Sequence, residues 1–231
     1  MVNLPTHYAE VEAIYNQTIG SGYKTIAITS AIAGEGKTTI SQAIVERAQL
    51  IGKKVLLVEM NTFNPALSNK LSATMAEPLT ENIVVNIENK GYSLLPAPQN
   101  IINVLQYREK NLLLQSINQW LENFDCIIFD TSALTSLNQS NIPAEIICQA
   151  CQGAILVVEA GRTPQSLIQE SIDKLKLKNV NLIGSIINDK SNPPLLTELL
   201  RETYRLDQFF PKLMVKLRNK LLNTVLFNIS I

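Results

Sequence analysis

Histidine is almost missing from this chain: His7 is the single one among 231 residues. No histidine-based metal cluster is therefore expected. Cysteine is also scarce. Cys126, Cys148 and Cys151 make an odd count, which fits a reducing compartment. Cys148 and Cys151 form a C-x-x-C, but no second cysteine pair or histidine joins them. Two small buried residues one helical turn apart is the better reading than a metal, iron–sulfur or redox site. Net charge is absent too, with 20 basic and 20 acidic residues, so no global field invites nucleic acid. No apolar run reaches the length of a membrane span, and the N-terminus lacks the apolar core of a secretory signal. These absences lead us to expect a cytoplasmic protein. Internal repeats and low-complexity linkers are missing as well. Hydrophobic residues make up 46% and charged residues 17%, a globular profile long enough for one large α/β domain.

What is present is a block, Ser30-Ala-Ile-Ala-Gly-Glu-Gly-Lys-Thr-Thr39. The apolar run Thr25 to Thr29 precedes it and reads as a buried strand. Ile40, Ala43, Ile44, Arg47, Ala48 and Ile51 follow at helical spacing. Strand, Gly-rich turn and helix form the context of a phosphate-binding loop. Gly34 and Gly36 let the backbone curl so that successive N–H groups point inward. The helix beginning near Lys37 adds the partial positive charge of its N-terminus. Lys37 is expected on the β- and γ-phosphates and the Thr38 hydroxyl on Mg²⁺. Gly34, Glu35, Gly36, Lys37, Thr38 and Thr39 make the expected nucleotide-binding set. The common G-x-x-x-x-G-K-[ST] pattern has glycine where this chain has Ala31. A turn without ligand is the alternative, and the coincidence of strand, Gly-x-Gly-Lys-Thr and helix weighs against it.

In chain order, Tyr8, Val11, Ile14, Tyr15, Thr18 and Ile19 share one helical face, and Gly20 and Gly22 end that helix. It is expected to pack on the domain or on a neighbouring subunit. Lys54 to Glu59 reads as a second strand, short and apolar as parallel strands are. Glu59 at its tip stands where ligands bind in open α/β sheets. Residues 66–92 give mixed signals. Ser93 to Ala97 reads as a third strand and residues 100–123 as helical. Asp125-Cys-Ile-Ile-Phe-Asp130 has the Walker B pattern, with Asp130 expected to hold the water shell of Mg²⁺. Gly153 to Ala160 is the next strand, and Thr163-Pro164 is expected to cap the following helix, with proline at its first position. Asn181 to Asn188 is the last strand. About six strands with helical connections predict an α/β fold, a mostly parallel sheet covered by helices on both faces. Three segments are expected: an N-terminal helix (1–22), a phosphate-loop domain (23–190) and a C-terminal tail (191–231).

These blocks together resemble the cytoplasmic bacterial tyrosine kinases of capsule and exopolysaccharide operons, the BY-kinases of CpsD/CapB type. That family lies within the MinD/ParA/Mrp group of P-loop (SIMIBI) ATPases. The resemblance covers roughly residues 8–190. Ala33 to Thr39 is similar to P-G-E-G-K-[ST]-T, and Val55 to Pro65 to the Walker A′ stretch, an apolar run then D-x-D-x-R-x-P. Phe124 to Ala133 resembles Y-D-x-I-I-I-D-T-P-P, and Gly153 to Thr163 resembles D-G-x-L-L-V-V-x-x-G-x-T. Ile183 to Asn188 resembles G-V-V-L-N, which implies that Asn188 borders adenine. The resemblance implies a fold of that group, ATP and Mg²⁺ as cofactors, and Lys37, Glu59 and Asp130 as catalytic residues, Glu59 assisting the metal or activating the acceptor. It also implies a homo-oligomer and a transmembrane polysaccharide co-polymerase as activating partner.

Several positions depart from the family pattern. The two Walker A′ aspartates are Glu59 and Asn61 here, and the following arginine is Phe63. Asn61 cannot accept a proton or offer charge to Mg²⁺. The ring-forming E-x-x-R-x-x-R becomes Glu12-x-x-Tyr15-x-x-Thr18, and no tyrosine follows Tyr204. Three functions stay open: a tyrosine-kinase-like ATPase that regulates polysaccharide polymerisation or export, a MinD/ParA-type switch, or a non-catalytic nucleotide-binding regulator. Ile32 stands where the MinD/ParA group usually has its extra lysine, which favours the first. An Mrp-like iron–sulfur carrier is disfavoured by the early position of the C-x-x-C. The tail from Pro211 to Ile231 has Lys212, Lys216, Arg218 and Lys220 and no acidic residue. Lys212, Lys216, Asn219, Lys220 and Asn223 share one helical face, and Leu213, Met214, Leu217, Leu221 and Val225 the other, with Arg218 in the apolar arc and expected to snorkel. Such a segment is expected to dock the protein peripherally at the inner membrane, on lipid or on a protein.

Overall fold

Strands buried on both faces sort their side chains by parity, and here that parity builds two cores. The computed structural model describes residues 4–69, 84–87, 91–136, 141–190, 195–207 and 210–222. Its strands are β1 (Thr25–Ser30), β2 (Val55–Glu59), β3 (Val85–Ile87), β4 (Tyr92–Leu95), β5 (Cys126–Ala133), β6 (Gly153–Glu159) and β7 (Leu182–Asn188). They form one sheet in the order β3-β4-β2-β5-β1-β6-β7. Only the β3–β4 pair is antiparallel; the others are parallel. Ile26, Ile28, Leu57, Ile128, Ile155 and Val157 face one layer, while Ala27, Leu56, Val58, Ile127, Phe129 and Leu156 face the other.

Helices close both layers. α1 (Ala9–Gln17) and α2 (Lys37–Gln49) supply Tyr15, Ile40, Ile44 and Ala48 to the first. α3 (Ile101–Arg108), α4 (Lys110–Leu121), α5 (Ala144–Ala150) and α6 (Gln165–Leu177) supply Tyr107, Leu113, Ile117, Ile147 and Leu175 to the second. Each large side chain so buried contributes about 1.5–3 kcal/mol, far above the roughly 0–1 kcal/mol of a surface ion pair. That comparison decides what holds α1. Val11, Tyr15 and Thr18 are buried against the domain. Arg47 of α2 donates from Nη2 to Glu12 at 2.9 Å and lies 4.6 Å from the Tyr15 ring centroid. Burial attaches the helix, and the ion pair fixes its angle. Tyr15 and Thr18, standing where the resemblance has ring-forming arginines, point into their own chain.

The expected helix over 100–123 is two helices. Glu109 between them is extended (φ −86°, ψ 111°), and no proline or glycine marks the break. β3 escaped the sequence reading because three residues on an antiparallel edge give too short a pattern. Cys148 and Cys151 are buried and unpaired, and burial pushes the Cys151 thiol well above its ordinary value.

The chain divides into two compact units, residues 1–188 and 189–231. In the second, α7 (Leu195–Arg205) and α8 (Pro211–Leu222) hold each other through Arg218. Its guanidinium lies 4.3 Å from the Tyr204 ring centroid and 2.8 Å from Asp207 Oδ2, an ionic contact not aligned as a hydrogen bond. The expected snorkelling of Arg218 is therefore corrected: an acid and an aromatic ring from the same unit take its charge. Met214 is buried, while Leu213, Leu217 and Leu222 are exposed. Asn223 and Val225 of the expected faces lie outside the described residues.

Candidate nucleotide site

The parallel register brings the acidic strand tips level with the phosphate loop. Glu59 at the end of β2 pairs with Asp130 of β5, and Asp130 pairs with Ile28 of β1. The offset between β1 and β5 then grows by one residue, from Ile28↔Asp130 to Ser30↔Ala133. This local bulge sits just past the acid, a common device beside functional sites. Thr131 donates its hydroxyl to the Ile28 carbonyl at 2.9 Å and holds the distortion.

Residues 31–36 form the loop and α2 begins at Lys37. Gly34 and Gly36 have φ of 88° and 94°, which only glycine adopts without strain. Ala31 is buried, and among the described residues only Asn179 has a positive φ without being glycine. A methyl at position 31 thus costs the backbone nothing, which explains why the chain tolerates this departure. Lys37 is 7% exposed, and its ammonium donates to Ser30 Oγ at 2.8 Å. Burial pulls its pKa down, while the charges of Asp130 and Glu35 oppose the shift. Thr39 follows in the same turn, half-buried.

Asp130 is 1% exposed. Thr38 donates its hydroxyl to Oδ2 at 2.6 Å, and Oδ1 has no hydrogen-bond partner. Burial pushes its pKa up to about 6, with Lys37 and the Thr38 hydrogen bond acting against it. A buried acceptor without a donor is costly. Hard oxygens from a hydroxyl and a carboxylate, one of them unsatisfied, are the donor set that Mg²⁺ takes while keeping several waters. The residues fit that ion.

Glu59 has another occupation. Its oxygens accept from the N–H groups of Leu67 and Ser68, at 2.7 and 2.8 Å, and from the Ser68 hydroxyl. It therefore caps the helical turn at residues 66–69. Burial pushes its pKa to about 7, against those three hydrogen bonds. Asn61 closes a turn, donating from Nδ2 to the Asn64 carbonyl at 3.0 Å, and Phe63 stands 75% exposed. A separate cavity of about 420 Å³ opens beside Thr62, Pro65, Pro98 and Ile101 and does not coincide with the phosphate cradle.

Three further residues touch the loop. Asn188, expected at adenine, donates from Nδ2 to the Glu35 carbonyl at 2.9 Å. Thr163 does not cap α6: its hydroxyl donates to Glu35 Oε1, and Pro164, not a first helical residue, takes the N-cap place. Arg162 bonds Glu159 Oε2 at 2.8 Å and the Ala33 carbonyl at 3.0 Å. Sequence reasoning passed over Arg162 because a lone arginine in a turn carries no pattern, and Glu35 itself is fully buried.

Known proteins resemble this chain in sequence and in fold. No family model matches the chain. Tyrosine-protein kinase CpsD of Streptococcus pneumoniae serotype 4 is 30% identical over 188 residues, covering 74% of this chain and 78% of the relative. The succinoglycan biosynthesis transport protein ExoP of Rhizobium meliloti is 27% identical over 184 residues, or 73% of this chain and 22% of that longer protein. Among solved structures, the kinase domain of Escherichia coli tyrosine kinase ETK superposes with a TM-score of 0.63 at 16% identity, covering 84% of each chain. Cobyrinic acid a,c-diamide synthase from Mycobacterium smegmatis, solved with an ATP analog and magnesium, gives 0.60 at 15% identity over 79% of this chain and 82% of that one. The two structures carry the fold alone. Sequence identity, coverage and the blocks around Lys37 and Asp130 go further, and they place the chain in the bacterial tyrosine-kinase family of CpsD type.

Proposed function

We propose that the chain binds Mg²⁺·ATP at residues 34–39 with Asp130, and acts as a phosphotransferase that regulates exopolysaccharide assembly. The observation that carries the reading is the unsatisfied Oδ1 of Asp130 beside the Thr38 hydroxyl. The bound cation would neutralise phosphate charge. Thr38 would offer it an oxygen lone pair while keeping its proton on Asp130 Oδ2. Lys37 would exchange Ser30 for a phosphate oxygen, a charged partner for a neutral one. Removing that ammonium leaves buried phosphate charge uncompensated and costs about 2–5 kcal/mol. Titration calorimetry should therefore find Mg²⁺·ATP binding to Lys37→Ala weakened by about thirtyfold or more, the low end of that range. Equal affinity in the two proteins would refute the assignment.

Asp130 also sets a pH dependence. Its pKa stands near 6 because burial disfavours the charge, so below pH 6 a cation must displace a proton. Affinity for Mg²⁺·ADP should fall as pH drops from 7 to 5, approaching tenfold per unit, and be nearly flat above 7. Folding linkage runs the other way in the nucleotide-free protein. Asp130 and Glu59 both hold protons more tightly folded than unfolded, so their contribution is present at about pH 4 and lost as pH rises to about 7. Thermal unfolding from pH 4 to 8, with and without Mg²⁺·ADP, separates the two slopes. An affinity that does not change between pH 5 and 7 would exclude Asp130 as the metal's carboxylate.

Transfer onto tyrosine is proposed to be weak in this chain. Asn61 offers no charge, and Glu59 is engaged at residues 67 and 68. Incubation with radiolabelled ATP and phosphotyrosine blotting should give little signal in wild type and more in Asn61→Asp. Strong labelling that Lys37→Ala abolishes would overturn this part.

Peripheral docking at the inner membrane is proposed for the second unit, on anionic lipid or on a transmembrane co-polymerase's cytoplasmic segment. Among the described residues no helix is long and apolar enough to cross a membrane. On α8, Lys216 and Lys220 are exposed together with Leu213 and Leu217, and each such lysine near anionic lipid adds about 1 kcal/mol. The protein should sediment with phosphatidylglycerol vesicles in low salt and be released at 1 M salt, where the Debye length is about 3 Å. Protein left in the supernatant at low salt would exclude the lipid version.

A further inference from the structure

The glycines of the phosphate loop make room for side chains as well as for a curl. A Cβ at position 34 would stand 2.9 Å from Nη1 of Arg162, and one at position 36 would stand 2.5 Å from Nδ2 of Asn188. Both neighbours hold the loop by its outward carbonyls, Arg162 at Ala33 and Asn188 at Glu35. Between them the Glu35 carboxylate is fully buried, which is tolerable only where its lone pairs are used. Oε2 accepts the Ile32 N–H at 2.9 Å, within the loop. Oε1 accepts the Glu159 N–H at 2.9 Å and the Thr163 hydroxyl. These partners come from the tip of β6 and the turn after it. Glu35 also lends negative charge to the buried Lys37.

We propose that Glu35 is a positioning residue, and that the segment Glu159–Thr163, acting on it through the Thr163 hydroxyl, clamps the phosphate loop in its binding shape before nucleotide arrives. The proposal deepens the nucleotide-site reading above and rests on it for the ligand. Glu35 thus serves the nucleotide through the loop backbone, its carboxylate being taken up by Ile32, Glu159 and Thr163. A preformed loop spends no binding free energy on ordering itself. Releasing the clamp should therefore weaken ADP and ATP alike, because both rely on the same backbone N–H groups.

The test uses the full chain and two measurements. Calorimetry follows Mg²⁺·ADP and a non-hydrolysable Mg²⁺·ATP analogue, and hydrogen exchange follows amides 31–38 without nucleotide. Thr163→Val keeps the side chain's shape and removes its hydrogen bond. It should weaken both nucleotides by a similar factor of about ten, the scale of one unsatisfied buried group. Exchange at 31–38 should quicken by a like factor while β1 and β5 keep their protection. Thr163→Ser should restore both properties. Lys37→Ala should lose affinity with loop protection intact, which separates the ligand from the clamp. If wild type binds neither nucleotide, the nucleotide reading fails, and exchange in Thr163→Val still decides whether the clamp exists. Unchanged loop protection in Thr163→Val overturns the proposal, as does affinity equal to wild type. Failure of Thr163→Ser to restore, or exchange rising equally in β1 and β5, overturns it too.

Discussion

This chain brings the side chains of Lys37, Glu35, Glu59 and Asp130 together beside the strand tips of a sheet covered on both faces. Every one of these side chains is buried. A lone charge there costs several kcal/mol, so the local architecture consists of compensation. Lys37 has Ser30 and two nearby carboxylates; Glu35 has two backbone N–H groups and a hydroxyl; Glu59 has the start of a helical turn. Asp130 alone keeps an oxygen without a partner. The deficit falls where a cation has a use, and the same desolvation that makes the site expensive makes it responsive to protons.

Compensation also explains how the site differs from its family pattern. A carboxylate at the tip of β2 survives as Glu59, one methylene longer, and that length carries it to the N–H groups of residues 67 and 68. The second acid of the pattern is Asn61, whose amide closes a surface turn. Binding and transfer are thus uncoupled in the residues. In the proposed reading, the residues that would hold phosphate and metal are retained, and those that would receive a hydroxyl proton are committed elsewhere or neutral.

Much of this was legible in the residue order. Unbroken apolar runs in β1, β2, β5 and β6 mark strands covered on both sides, and Gly-x-Gly-Lys-Thr between strand and helix marks the loop. Asp130 was readable because four apolar residues precede it in a chain that already has that loop. What stayed hidden depends on contacts between distant segments. The break at Glu109 has no proline or glycine to announce it. Thr163 before a proline looks like a helix cap, and only the approach of β6 to β1 shows that its hydroxyl has a nearer acceptor in Glu35. Tyr15 and Thr18 look like a lost assembly surface until Tyr15 is seen beneath Arg47 of α2 and the Thr18 hydroxyl on the Ile14 and Tyr15 carbonyls.

The partners of Glu35 lie far along the chain: Glu159 is 124 residues away, Thr163 is 128, and Asn188 holds its carbonyl from 153. β1, likewise, lies between β5 and β6, both about a hundred or more residues later. Local contacts alone cannot assemble such a centre, and closing such long loops slows folding. During synthesis the glycine-rich segment leaves the ribosome early and waits, unbraced, for most of the first unit to follow. Through that interval it has the sequence of a phosphate loop without its shape. The contacts that shape the loop thus cannot form until Glu159, Thr163 and Asn188 have been synthesised.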